Sequence, residues 1–216
     1  MQGKTLKIFL IGGTGRTGLL VAQDALAEGH SVTAIVRREP KVKGTITVTA
    51  QIQGGGSSAE LYSGEKKNVE LAANEVVVGP HDKLNVIVSQ FTPEALTPLM
   101  AGHDVVIAIL GAWPKPDEPK MTTYSDPAKA YIPAMKANNI SRFFTVFGAG
   151  FLGPIEKIPK EWADTGNLEM DAINKIRRDM RICWDLILEA NLDYSIWCPA
   201  NFPSGPRTSD YKLGAD

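Results

Sequence analysis

Residues Lys7 to Gly18 read KIFLIGGTGRTG, a short apolar strand running straight into Gly12-x-x-Gly15-x-x-Gly18. The segment Lys7 to Ile11 is β-rich and apolar throughout, as expected of a strand buried on both faces of a parallel sheet. Gly12 permits a tight strand-to-helix turn, Gly15 lets backbone approach a pyrophosphate, and Gly18 allows close packing of the helix that follows. That helix is expected over Leu19 to Glu28, ended by Gly29, with its free N–H groups and positive dipole end directed at an anion. Strand two, His30 to Val36, ends in Arg37-Arg38. An acidic residue at this tip would suit the ribose hydroxyl of NAD, whereas arginine suits the 2′-phosphate of NADP. Glu39 follows only after the arginines, so NADP(H) is expected in preference to NAD(H).

The chain has 216 residues, 44% hydrophobic and 22% charged, with a formal net charge of -1. These values fit one globular domain and give no sign of nucleic acid or an anionic membrane as partner. No signal peptide or bilayer-length apolar run stands out, so a cytoplasmic protein is expected. Cys183 and Cys198 form no CxxC and lie in apolar stretches, which reads as reduced core thiols. His30, His81 and His103 are scattered among turn-forming residues, and no metal is expected.

Strands and helices then alternate. Strands are expected at Leu84 to Ser89, Asp104 to Leu110, Arg142 to Phe147 and Tyr194 to Cys198. Helices are expected at Pro93 to Ala101, Asp126 to Asn138 and Met170 to Ala190. Between Glu39 and Asn85 lies a long irregular insertion. It contains β-like runs at Thr45 to Thr49 and Glu75 to Gly79, a Gly54 to Ser58 tract and a helical-looking piece from Ala59 to Ala73. Alternation of this kind predicts an α/β, Rossmann-like, doubly wound parallel sheet with helices on both faces, in a single domain over 1–216. Ligands of such sheets bind beyond the carboxyl ends of the strands. Four loops fall there: Gly12 to Gly18, Gly111 to Tyr124, Gly148 to Asp164 and Pro199 to Arg207.

In order along the chain come GGTGRTG, VRR, AGHDVVIAILG, TTYSDPAKAYIPAMKANNISRFF and LILEANLDYSIWCPANF. Together they resemble the atypical short-chain dehydrogenase/reductase superfamily, in its NAD(P)H-binding branch, near the biliverdin-IXβ reductase and flavin reductase group. The resemblance covers most of residues 4 to 202 apart from the insertion. It implies NADPH held along the strand ends and reduction of flavins or tetrapyrroles. By that resemblance Gly12, Thr14, Gly15, Arg16, Thr17 and Gly18 hold the pyrophosphate, and Arg37 and Arg38 the 2′-phosphate. Leu110 and Gly111 line the nicotinamide-ribose side, and Pro199 to Phe202 lie beside the nicotinamide. It also implies a further strand and helix beyond Arg207, so a C-terminus shorter than the group's is expected.

The chain departs from that pattern in places. Ser89-Gln90 stands where relatives carry Gly-Asp near the adenine, with Gln90 as the adenine-edge candidate. The stretch Phe147-Gly148-Ala149-Gly150 has no hydroxyl where relatives often have serine, and Asn201 replaces a histidine. The familiar Tyr-x-x-x-Lys acid/base pair occurs only as Tyr62-x-x-x-Lys66, inside the insertion and at the wrong edge of the sheet. No tyrosine lies between Glu169 and Ala190. The catalytic candidates are therefore Tyr124, Trp113 and Asn201, and Trp113, Phe147, Phe151 and Phe202 (with Trp162) are the aromatic pocket candidates. Ser125 is expected to cap the helix at 126. Lys115 and Lys120 are candidates for an anionic substrate group, and Glu161 and Asp164 for acids. An aromatic pocket without an acid/base pair suits hydride transfer to a planar conjugated acceptor (flavin-like, tetrapyrrole-like or quinone-like), where holding the reacting atoms in line is the main requirement. Two other readings remain at this point: a redox sensor that binds NADP(H) without turnover, and a non-redox isomerase, cyclase or dehydratase.

Overall fold

A computed structural model describes residues 4–40, 42–50, 74–111, 120–148 and 168–199. The first strand, β1 (Lys7–Ile11), leads into α1 (Arg16–Ala27) and then β2 (Ser31–Val36). After the pair β3 (Ile46–Ala50) and β4 (Asn74–Val78) come β5 (Leu84–Val88), α2 (Pro93–Met100) and β6 (Val105–Ala108). The chain continues through α3 (Ser125–Ala137), β7 (Arg142–Val146), α4 (Leu168–Glu189) and β8 (Asp193–Trp197).

Six strands form one parallel sheet in the order β5-β2-β1-β6-β7-β8. Its pairings include Phe9 with Thr33 on one side of β1 and with Val106 on the other. Alternation along β1 divides the core in two. Ile8 and Leu10 pack with Leu19, Ala22 and Leu26 of α1. Phe9 and Ile11 pack on the opposite face with residues of α2, α3 and α4, among them Leu96, Tyr131, Met135, Cys183 and Ile187. The apolar, two-sided burial of β1 is what its uninterrupted hydrophobic sequence requires. The doubly wound α/β fold read from the sequence is thus the one observed.

Local signals explain the helix ends. Thr92 Oγ1 accepts from the Ala95 N–H at 3.3 Å and Pro93 opens α2, the preferred arrangement for a helix start. Asn139 and Asn191 adopt φ of 55° and 53° just past α3 and α4. Asparagine tolerates this left-handed conformation and so can serve where glycine usually ends a helix.

The β-like runs read at Thr45 to Thr49 and Glu75 to Gly79 are strands β3 and β4, which pair antiparallel with Ile46 opposite Val78. Both residues are buried in the α1-side core, so the pair packs as an added layer over α1. One expectation needs correction: helix α1 begins earlier than expected, at Arg16, so the last part of the glycine motif is already helical. The Ala59 to Ala73 reading lies outside the described residues.

Candidate functional site

The strand order places a crevice between β1 and β6. From β1 the chain moves through α1 to β2 on one side, and from β6 through α3 to β7 on the other. Strand carboxyl ends at such a reversal splay their loops apart, and this is where doubly wound sheets bind ligands. The glycine turn forms one wall. Gly12 has φ 83°, and a Cβ there would overlap the Ile109 carbonyl oxygen at the end of β6. A Cβ on Gly18 would overlap the Gly12 carbonyl oxygen, so the first turn of α1 lies directly on the bend. No residue larger than glycine fits either position without moving the backbone.

The N-terminus of α1 is open. Its N-cap is Gly15, extended at φ −83° and ψ 158°, which has no side chain to cap the helix, and no acidic residue lies in the first turn. Thr14, Gly15 and Arg16 are exposed. A positive Arg16 at the positive end of a helix is mismatched to the dipole on its own and becomes matched once an anion sits there. A pyrophosphate therefore fits this cradle. The sheet order puts the exposed Arg37, Arg38 and Gln90, which follow β2 and β5, on the same flank of the crevice.

The β6 flank is built differently. Leu110 is half-buried, Gly111 is exposed, and a Cβ on Gly111 would stand 3.8 Å from the Tyr124 hydroxyl. Tyr124 is 6% exposed and meets Phe147 edge-on, with ring centroids 5.6 Å apart at 83°. Phe147 is a core residue, 1% exposed, and forms the wall behind Tyr124. Burial, then the charge of Asp179 and the neighbouring Cys183, push the Tyr124 phenol up to about 12. The hydroxyl is therefore a neutral hydrogen-bond donor at physiological pH. Thr145 offers no hydroxyl to the crevice, because its Oγ1 donates to the Ala108 carbonyl oxygen at 2.8 Å.

Ser125 does not cap α3. It is the first helical residue, 1% exposed, and the cap comes from α4. The Tyr124 N–H donates to Asp179 Oδ2 at 2.7 Å, and the Ser125 N–H donates to Oδ1 at 3.1 Å. Asp179 is 1% exposed, so a buried carboxylate fills this helix N-terminus and positions Tyr124. Sequence reasoning missed it. The signal was an acidic residue beside the apolar stripe Ile176, Met180, Cys183 and Ile187 of α4.

Cys183 is buried and Cys198 half-buried, both as free thiols. Burial pushes the Cys183 thiol up to about 12 and raises Cys198 as well, so neither is an activated nucleophile. Pro199 is half-buried just beyond β8. Trp113, Lys115, Phe151, Glu161, Trp162, Asp164, Asn201 and Phe202 lie outside the described residues, as do Tyr62 and Lys66. Among the described residues, no cluster of three or more His, Cys, Asp or Glu side chains is placed to hold a metal, and no helix is long and apolar enough to cross a membrane.

Known proteins agree with this architecture. The Bacillus subtilis protein YwnB is 24% identical over 98% of this chain and 80% of its own length. Among solved structures, SP1627 of Streptococcus pneumoniae, assigned as an NADH-flavin reductase, superposes with a TM-score of 0.55 at 22% identity, over 94% of this chain and 77% of its own. The oxidoreductase ylbE of Lactococcus lactis gives 0.53 at 19% identity, covering 88% and 67%. WbmH of Bordetella bronchiseptica, solved in complex with NAD+, gives 0.54 at 17% identity, covering 89% and 55%. At these identities the structures speak for the fold alone. The family described as NAD(P)H-binding matches residues 68–216, the greater part of the sequence and all of β4 through β8. By that match, and with the open glycine cradle at the head of its first helix, the chain belongs to the NAD(P)H-binding family.

Proposed function

We propose that the chain is an NADPH-dependent reductase of a planar conjugated acceptor. The observation that carries this reading is the α1 N-terminus, with Gly15 as cap, no side-chain cap among the described residues, and exposed Arg16 beside it. Thr14 to Gly18 would hold the pyrophosphate there, Arg37 and Arg38 the 2′-phosphate, and Gln90 the adenine edge. Leu110, Gly111 and Pro199 would flank the nicotinamide. When bound, the reduced dinucleotide supplies a hydride, and one proton completes the two-electron reduction of the acceptor.

The other flank supports a binding-and-orienting role. Helix α4 carries Asp179 and Cys183 and no tyrosine, so the Tyr-x-x-x-Lys device for protonating an alcohol oxygen is missing from it. The neutral Tyr124 hydroxyl beside Gly111 can hydrogen-bond an acceptor carbonyl, while the proton comes from solvent. A flat acceptor with a conjugated electrophilic centre needs little more than this alignment.

The test is titration with NADPH, NADH and NADP+, read by tryptophan fluorescence, followed by NADPH oxidation at 340 nm with flavin as acceptor. Saturable binding with NADPH favoured over NADH, and oxidation that depends on flavin, is the expected result. Binding without oxidation by flavins, tetrapyrroles or quinones would overturn the reductase reading in favour of a sensor or a non-redox enzyme. Equal affinity for NADH and NADPH would overturn the assignment of Arg37 and Arg38.

A further inference from the structure

We propose that Gly148, together with Gly111, determines acceptor specificity: their bare backbone at the ends of β7 and β6 seats a flat ring whose carbonyl oxygen accepts from the Tyr124 hydroxyl. This rests on the reductase reading above and narrows the acceptor to molecules with a ring carbonyl, of the flavin or quinone type. Among the described glycines, every other one is required by the chain itself, through a positive φ or through a neighbour closer than 3.4 Å to its Cβ position. Gly111 and Gly148 have neither. A Cβ on Gly111 would meet the Tyr124 hydroxyl at 3.8 Å and one on Gly148 the Met180 Cε at 3.7 Å, both ordinary contacts among the described residues. Both positions are exposed. Glycine at a strand end weakens the strand, and where packing does not demand it, it marks a place for close approach by a ligand.

The two glycines are neighbours. Strands β6 and β7 pair in parallel with Ala108 opposite Thr145, and the same offset carried past the strand ends sets Gly111 level with Gly148. Tyr124 meets Phe147 edge-on, and Phe147 leads directly into Gly148. Met180 follows Asp179, whose carboxylate holds the Tyr124 N–H. Tyr124, Phe147 and Met180 therefore form a continuous buried floor below the two glycines. One polar atom of that floor points to a ligand. Tyr124 is more than nine-tenths buried, yet among the described residues nothing hydrogen-bonds its hydroxyl. A buried hydroxyl without a partner is costly, and an acceptor oxygen beside it removes that cost. The rest of the floor is apolar and suits a ring, while the hydroxyl fixes which edge of the ring turns inward.

The test is titration of the wild type, Gly148→Ala and Gly148→Val with riboflavin and with menadione under saturating NADP+. The fold is checked in each by Tm and by NADPH titration. Gly148→Val is expected to bind both probes about tenfold more weakly or worse, with Gly148→Ala in between, while Tm and NADPH affinity stay at wild-type values. Tyr124→Phe should also cost about tenfold. Combined with Gly148→Val it should cost little more, because a ring already displaced has lost the hydroxyl. Probe affinities unchanged in the folded Gly148→Val variant would overturn the proposal, and so would losses that simply multiply in the double variant. A fall in NADPH affinity equal to the fall for the probes would also overturn it, since Gly148 would then serve the dinucleotide. If neither probe binds the wild type, the ring-carbonyl seat is wrong, and NADPH oxidation by another acceptor would still uphold the reductase reading. Probe binding that depends on Gly148 without any NADPH oxidation supports the seat and overturns that reading instead.

Discussion

Two helices begin at neighbouring strand ends, and the protein treats their N-termini in opposite ways. Helix α1 follows β1 and has glycine as its cap, with no acidic residue in its first turn and, among the described residues, no side-chain cap. Helix α3 follows β6, the strand beside β1, and its first N–H groups are taken by Asp179 reaching across from α4. Every helix start presents the same unsatisfied donors and the same partial positive charge. Filled from within, that charge ties α3 to α4 and fixes Tyr124. Left open, it becomes a place for a ligand anion. The contrast makes the open helix start, rather than the filled one, the place proposed for the dinucleotide.

The comparison can be broken from either side. The largest effect is expected from Gly18→Val, whose side chain would overlap the Gly12 carbonyl. Loss of about 3 kcal/mol of stability is expected, together with loss of dinucleotide binding, measured by denaturant unfolding and NADPH titration. A folded, NADPH-binding variant would show that α1 does not rest on the turn as described. On the other side, Asp179→Ala leaves two N–H groups at the start of α3 without their acceptor. The expected cost is about 2 kcal/mol, or a Tm lower by roughly 6 °C. Asp179→Asn, which keeps one acceptor oxygen, should lose about half as much. An unchanged Tm in the alanine variant would mean the carboxylate is not the cap.

Smaller effects sharpen the picture. Arg37→Ser with Arg38→Ser should weaken NADPH binding by about tenfold or more, with little change for NADH, by removing charge-assisted contacts to the 2′-phosphate. Competition titrations would show this, and parallel weakening of both dinucleotides would contradict it. The smallest effect concerns pH. The Tyr124 phenol is raised from 10.0 to about 12, so the folded state holds this proton more tightly than the unfolded chain. Its contribution is therefore fully present below pH 10 and is lost as pH rises from 10 towards 12. Tyr124→Phe should make the fall in stability over that window shallower, as read by urea midpoints at successive pH values. An identical slope in both proteins would place the titrating group elsewhere.

Much of the cofactor half was legible in the sequence because its signals are local. KIFLIGG is a strand and turn within a few residues, and the glycines stand where backbone crowding leaves no room for a Cβ. The place of Arg37 and Arg38 just past β2 needed only the strand boundary. The β6 flank depends on contacts far apart in sequence. Ser125 looks like a cap by its residue type, yet the cap is Asp179, 54 residues away. The β3–β4 pairing joins Ile46 to Val78 across a long intervening segment, and no turn motif announces it. Tyr124 was a candidate from its place before a helix, but its burial and its position beside Gly111 came from packing against Phe147.

The most direct test of the open-versus-filled contrast is NADPH titration of Gly15→Asp against the wild type. The extended backbone at Gly15, φ −83° and ψ 158°, is one that aspartate adopts as an N-cap, although its Cβ would stand 3.3 Å from the Gly12 carbonyl oxygen and needs a small shift there. The substitution gives α1 the internal carboxylate that α3 already has. The account predicts a folded protein whose NADPH affinity falls by about a hundredfold or more, roughly 3 kcal/mol. NADPH binding unchanged in the folded variant would contradict the claim that the α1 N-terminus holds the dinucleotide.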